Sequence, residues 1–98
     1  MTTRHAPPAD ASAEHRAAVF KALGEPTRLR IVDFLRRRGR EATGSEIADH
    51  VGISLALLCH HTDALVEAGL VIKRKEGQTS IWRINSSSLL SALKSLGS

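Results

Sequence analysis

Mainly helical with one small β-hairpin is the fold class predicted for this chain of 98 residues, and three observations predict it. Apolar residues recur at three- and four-residue spacing in five separate stretches, the periodicity of amphipathic helices. A single stretch, LVIKRK followed by TSIWRI, is β-branched and alternating around a glycine, as a hairpin requires. Aromatics are 3% of the chain against 42% hydrophobic residues, so aliphatic packing between helices must supply most of the core, which argues against an all-β sandwich. The predicted order is α-α-α-α-β-β-α.

Residues 1–12 hold prolines, alanines and small polar residues without apolar periodicity, and are expected to be a flexible arm. The folded domain is expected over residues 13–98. Its first helix, residues 13–23, carries Ala17, Val19, Phe20 and Leu23 at helical spacing and stops at Gly24. Pro26 then opens a second helix, where its missing N–H costs nothing, and Leu29, Ile31, Val32, Phe34 and Leu35 carry the apolar pattern to Gly39. Arg36, Arg37 and Arg38 in the last turn favour the negative end of the helix dipole and are read as a solvated cap, with phosphate contact as the alternative.

Thr43-Gly44-Ser45-Glu46 has the form of a capping box and should start a short helix running to Val51 and closed by Gly52. Ser54 is a good N-cap for the next helix, residues 55–68, so two helices are separated by a turn of about three or four residues. That spacing is the helix-turn-helix signature. A 100° rotation per residue puts Leu58, His61, Leu65 and Ala68 on one side of the second helix, and Ala56, Cys59, His60, Asp63 and Glu67 on the other. Gly69 ends it. Strands at residues 70–75 and 79–84 follow, joined by a tip of Glu76, Gly77 and Gln78, and this hairpin is the wing of a winged helix-turn-helix. Trp82 and Ile84 are read as hairpin core. A last helix, residues 87–97, bears Leu89, Leu90, Leu93 and Leu96 on one face.

A chain this short buries only about 60–65% of its unfolded surface and benefits from a partner subunit. Pairing the first and last helices across a two-fold axis is the economical way to cover Val19, Phe20, Leu23, Leu89, Leu90, Leu93 and Leu96. Lys and Arg number 14 against 10 Asp and Glu, a formal charge of +4, which favours a polyanionic partner, nucleic acid first and a membrane surface second. No segment approaches the ~20 apolar residues of a spanning helix. One cysteine, Cys59, cannot form an internal disulfide, which fits a reducing cytoplasm.

Two strings, FKALGEPTRLRIVDFL at residues 20–35 and ISLALLCHHTDALVEAGLV at residues 53–71, resemble the ArsR-type family of bacterial winged-helix repressors. The resemblance implies a homodimer that occupies a double-stranded DNA operator and leaves it when an inducer, often a metal ion or an oxidant, binds. It places Ser54, Leu55, Ala56, Cys59 and His60 of the recognition helix, and Lys73, Arg74, Lys75, Gln78 and Thr79 of the wing, on DNA. The inducer site does not carry over. The stretch at residues 45–50 (SEIADH) lacks the thiols that some members use, and residues 89–98 offer no His, Asp, Glu or Cys. No metal site and no cofactor are therefore expected, with His5, His15 and His50 left uncommitted.

Cys59 stands where relatives commonly place serine. It reads as a small packing residue or DNA neighbour, with the sharper alternative that its oxidation, or a soft metal bound with His60 or Asp63, releases DNA. His61 reads as a core or interhelix histidine and His60 as a DNA contact. Leu55, Ala56 and Leu57 replace the Gln-Pro-Thr frequent in relatives and can read only thymine methyls or shape, and Asp63 replaces a frequent basic residue. Weaker base discrimination by this helix, with more from the wing, is the expectation. Lys73, Arg74 and Lys75 contact phosphate or line a solvated strand edge. The rival from another class is a protein-interaction winged helix without specific DNA binding. An enzyme is disfavoured, since metalloprotease, P-loop and nucleophile-elbow motifs are missing.

Overall fold

The computed structural model describes residues 13–96. The elements in chain order are α1 (Ala13–Leu23), α2 (Pro26–Arg38), β1 (Ala42–Thr43), α3 (Gly44–Val51), α4 (Leu55–Glu67), β2 (Val71–Glu76), β3 (Thr79–Ile84) and α5 (Ser86–Leu96). The expected arm at residues 1–12 lies outside the described residues.

The helix boundaries follow the capping chemistry. Glu25 caps α2, its carboxylate accepting from the N–H groups of Thr27 at 2.7 Å and Arg28 at 3.2 Å. Thr43 and Glu46 exchange both bonds of the capping box, Glu46 N–H to Thr43 Oγ1 at 3.2 Å and Thr43 N–H to Glu46 Oε1 at 2.8 Å. Gly52 closes α3 with φ 81°, a left-handed conformation that costs glycine nothing, and this sharp reversal starts the turn into α4.

Two expectations need correction. A third strand, β1, pairs antiparallel with β3, with Ala42 opposite Trp82 and Thr43 opposite Ile81, so the sheet order is β1-β3-β2. Two residues are too few to show an alternation, which is why the sequence pattern passed over it. The hairpin turn is also shorter than expected: Glu76 pairs with Thr79, leaving Gly77 and Gln78 alone at the tip. Gly77 has φ 63° and no other residue of the turn has positive φ, the glycine-first arrangement of a two-residue hairpin.

The core gathers one stripe from every helix: Val19 and Ala22, Ile31, Val32 and Leu35, Ile47 and Ala48, Leu58 and Leu65, and Ala92, closed by Leu70, Val71 and Trp82. Val19, expected at the subunit interface, is 0% exposed within the single chain and belongs to this core. Its neighbours Phe20 and Leu23 are half-buried against the same cluster.

Candidate nucleic-acid interface

Helix α4 is held from behind. Leu58, His61, Thr62 and Leu65 are its buried residues, and the wholly buried Thr62 hydroxyl donates back to the Leu58 carbonyl at 3.0 Å, with the Cys59 carbonyl at 3.2 Å. His61 Nδ1 accepts from Arg28 Nε of α2 at 3.1 Å, which fixes α4 to the helix behind it and requires the neutral imidazole. Burial pushes the His61 imidazole below its ordinary range; the Glu25 carboxylate opposes this, and Arg28 and His60 add to it. His60, one residue on, is exposed, and the two rings meet edge to face with centroids 5.3 Å apart, so they are not a chelating pair.

The front of α4 is bare. Ala56, Cys59, His60 and Asp63 are exposed, together with Leu55 and Leu57, large apolar side chains that are 53% and 43% accessible. Ser54 caps the helix, its hydroxyl accepting from Leu57 N–H at 3.1 Å. Seven residues of this segment are therefore exposed, with Ala56, Cys59, His60 and Asp63 on the side away from the buried stripe and Leu55 and Leu57 on its flanks.

The wing separates into two faces. Register pairs Lys73 with Trp82 and Lys75 with Ser80, while Arg74 pairs with Ile81, and alternation places Arg74 on the opposite face from the two lysines. The Lys73 ammonium sits 5.6 Å from the centroid of the Trp82 ring. Arg74 is committed elsewhere: it grips both oxygens of Glu41 at 2.6 Å each and reaches Glu76 at 3.4 Å. The Arg74 hydrogen bond holds the Glu41 carboxyl below the usual range, and Glu41 in turn raises the Arg74 guanidinium above its own. The cationic run at residues 73–75 thus presents two lysines without an ion pair among the described residues and one neutralised arginine.

Between the start of α3, the start of α4 and the wing runs a groove of about 300 Å³, lined by Thr43, Gly44, Ser45, Leu55, Cys59, Gln78, Thr79, Ser80 and Trp82. It brings together Leu55, Cys59, Gln78 and Thr79, expected on DNA, with Thr43, Ser45 and Ser80, which the sequence reading missed. Thr43 was legible as a cap, but its position beside the wing comes from the β1 pairing. A Cβ at Gly44 would stand 3.2 Å from the Trp82 ring, a tight contact that shows how closely the start of α3 approaches the wing. The buried Trp82 Nε1 has no hydrogen-bond partner among the described residues.

Of the arginine run ending α2, Arg38 is no solvated cap. It donates to the Glu41 carbonyl at 2.9 Å and to Glu46 at 2.8 Å, with its side chain 17% exposed, clasping the end of α2 to the start of α3. Glu46 is held below its ordinary pKa first by the Thr43 N–H and then by Arg38. Arg36 pairs loosely with Asp33 at 3.7 Å, and Arg37 is exposed. His50 stacks on Phe34 with ring centroids 4.4 Å apart. Among the described residues no three His, Cys, Asp or Glu side chains gather as a metal site would require. No helix among them is long and apolar enough to cross a membrane.

Helix α5 turns Ala92 and Leu89 toward the core but leaves Leu90, Leu93 and Leu96 exposed at 57%, 48% and 64%.

Residues 25–73, from the cap of α2 into the wing, match the model of the bacterial regulatory protein arsR family. The chain belongs to the ArsR family. It is 35% identical over 71 residues to the transcriptional repressor SdpR of Bacillus subtilis, covering 72% of this chain and 77% of that protein. It is 39% identical over 62 residues to a probable mercury resistance operon repressor of Streptomyces lividans, covering 63% of this chain and 48% of the relative. Among solved structures, the homodimeric winged helix-turn-helix DNA-binding domain of a Mycobacterium bovis protein superposes with TM-score 0.73 at 30% identity, covering 97% of this chain and 88% of that one. An ArsR-like transcriptional regulator from Rhodococcus sp. RHA1 superposes with TM-score 0.76 at 28% identity, covering 86% and 77%. This ArsR-family chain is accordingly a DNA-binding transcriptional regulator and not an enzyme. Its winged helix-turn-helix, mainly helical with five helices and a three-stranded sheet, is the fold of homodimeric structural neighbours.

Proposed function

We propose that this chain is one subunit of a homodimeric, sequence-specific transcriptional repressor. The observation that carries the reading is the bare front of α4, supported from behind by Leu58, His61, Thr62 and Leu65 and flanked by Lys73 and Lys75. A helix so held is a rod that fits a major groove. Leu55 and Ala56 contact thymine methyls, His60 donates to a base edge or phosphate, and Ser54 lies near the backbone. A phosphate of the flanking strand lies in the groove between α3 and the wing, which Ser45, Thr79 and Ser80 help to line. Lys73 and Lys75 supply the wing's charge, and Gln78 at the tip enters the adjacent minor groove. Arg74 takes no part.

The exposed leucines of α5 and the half-buried Phe20, Leu23 and Leu89 form the subunit interface, which sets two α4 helices about 34–36 Å apart for successive major grooves. Repression follows from occupancy in the cytoplasm. Release follows from an agent acting at Cys59, whose exposed thiol lines the DNA-facing groove, so that an adduct there sits where the backbone must pass. Anisotropy titration against the chain's own upstream DNA and against scrambled DNA, at two salt concentrations, tests the reading. Binding with a sequence preference of at least about 10³-fold supports it. Equal affinity for both duplexes makes the domain a protein-interaction module.

A further inference from the structure

A second concavity lies between the end of α2, the base of the wing and the start of α5, open to solvent and about 420 Å³ in volume. That is the size of a small-ligand pocket. Arg36, Arg40 and Arg83 line it, with Glu41 and Ser86. Its one carboxylate, Glu41, is gripped on both oxygens by Arg74 and also feels the charge of Arg83, so a single acid faces four guanidiniums. Arg36 reaches Asp33 only at 3.7 Å with 57% of its side chain exposed, and the guanidiniums of Arg40 and Arg83 form no hydrogen bond or ion pair among the described residues. Ser86 opens α5, an eleven-residue helix whose first-turn N–H groups add the positive end of its dipole. Three arginines, a serine and a helix start thus line one hollow that holds a single acid, itself bonded by Arg74.

We propose that this hollow binds a phosphate group, either inorganic phosphate or the monoester of a small metabolite. A dianion with three free oxygens matches several guanidinium forks, which pair with phosphate in two parallel hydrogen bonds, better than a single carboxylate does. Duplex DNA is not the occupant. Strand pairing puts Arg83 opposite Ile72, at the end of the hairpin away from the Gly77 tip, and on the Arg74 face, not on the face of Lys73, Lys75 and Trp82 beside α4. A phosphate here bridges α2, the wing and the helix that carries the exposed leucines, so the ligand touches the elements whose relative positions set the spacing of the two α4 helices. That consequence rests on the DNA-binding reading above, whereas the binding itself does not.

Calorimetric titration of the full chain with inorganic phosphate and with phenyl phosphate, at fixed ionic strength, tests the site. Saturable binding of one ligand per chain is expected, with Arg40→Ala and Arg83→Ala each weakening it about tenfold. Arg37→Ala removes a cation from the same helix end without lining the hollow and should leave affinity unchanged. Tighter binding of the monoester identifies a metabolite as the ligand; equal or tighter binding of inorganic phosphate identifies the free ion. All three arginines are exposed, and circular dichroism confirms that the variants fold. An equal loss from Arg37→Ala reduces the effect to surface charge and overturns the proposal. So does a lack of phosphate binding combined with a lower salt slope of operator binding in Arg40→Ala and Arg83→Ala, which would make the hollow part of the DNA surface.

Discussion

Protonation of His61 should unfasten the recognition helix. The imidazole is 7% exposed, and its Nδ1 accepts the Arg28 Nε–H that joins α4 to α2. A proton added there removes the acceptor, leaves a guanidinium N–H unpaired in a half-buried place and sets two cations together. Because burial lowers the pKa of His61 below its ordinary value of 6.5, the unfolded chain takes up this proton before the folded chain does. Stability from the neutral ring is therefore complete above the ordinary value and falls as pH drops through it toward the folded value, by at most about 1.4 kcal/mol per pH unit. The carboxylates with shifted values, Glu25, Glu41 and Glu46, are all held below 4.5 and stay outside this window. Urea unfolding at fixed protein concentration, between about pH 7.5 and 5.5, measures the slope, and His61→Gln, whose amide oxygen can still accept from Arg28, removes the titrating group. The wild type should lose more stability on acidification below about pH 6.5 than His61→Gln does, by no more than about 1.4 kcal/mol for each pH unit. Parallel pH profiles for the two proteins would refute the reasoning, and a wild type that gains stability on acidification would reverse its sign.

Four other outcomes follow from the same geometry. Lys73→Ala and Lys75→Ala should each reduce the salt slope of operator binding by about 1, whereas Arg74→Ala, already paired with Glu41, should leave that slope unchanged in anisotropy titrations. Replacing Leu90 and Leu93 by serine should yield a folded monomer in sedimentation, since both side chains are exposed in the single chain and their loss opens no cavity. Thr43→Ala should cost about 1 kcal/mol of unfolding free energy, read by urea titration, by deleting one arm of the capping box. Maleimide modification of Cys59 should abolish operator binding in a gel shift while the circular dichroism spectrum is retained, and Cys59→Ser should be immune to the reagent.

Much of the fold was legible because it is written in local chemistry. Pro26, the Thr43 and Glu46 pair, Gly52 and Ser54 mark helix ends through hydrogen bonds that span three or four residues, and each of these ends stands where the local signal puts it. Rotation along α4 sorted Leu58, His61 and Leu65 from Cys59 and His60 because a helix turns by a fixed angle whatever surrounds it. Thr62 escaped that reading: a hydroxyl reads as polar until its bond back to the Leu58 carbonyl shows how it is satisfied in the core.

Charge was far less legible than pattern. Lys73, Arg74 and Lys75 look alike in a row, yet Arg74 meets Glu41 from 33 positions away and drops out of the cationic surface. Arg38 likewise finds Glu46 across the turn from α2 to α3, and Arg36, Arg40 and Arg83 share one hollow although 47 positions separate the first from the last. Val19 belongs to the chain's own core for the same reason, because what covers a helical stripe depends on which helices stand beside it.

By itself the sequence determined where the helices begin and end to within about a residue, which side of each is apolar, and that a β-hairpin follows the helix-turn-helix. The tertiary structure decided which cations remain unpaired, which apolar side chains still need cover, and that a two-residue strand extends the wing. The division is physical: hydrogen bonds of caps and turns close over a few neighbouring residues, whereas ion pairs and burial depend on contacts between segments far apart in the chain, which only the packed fold brings within reach.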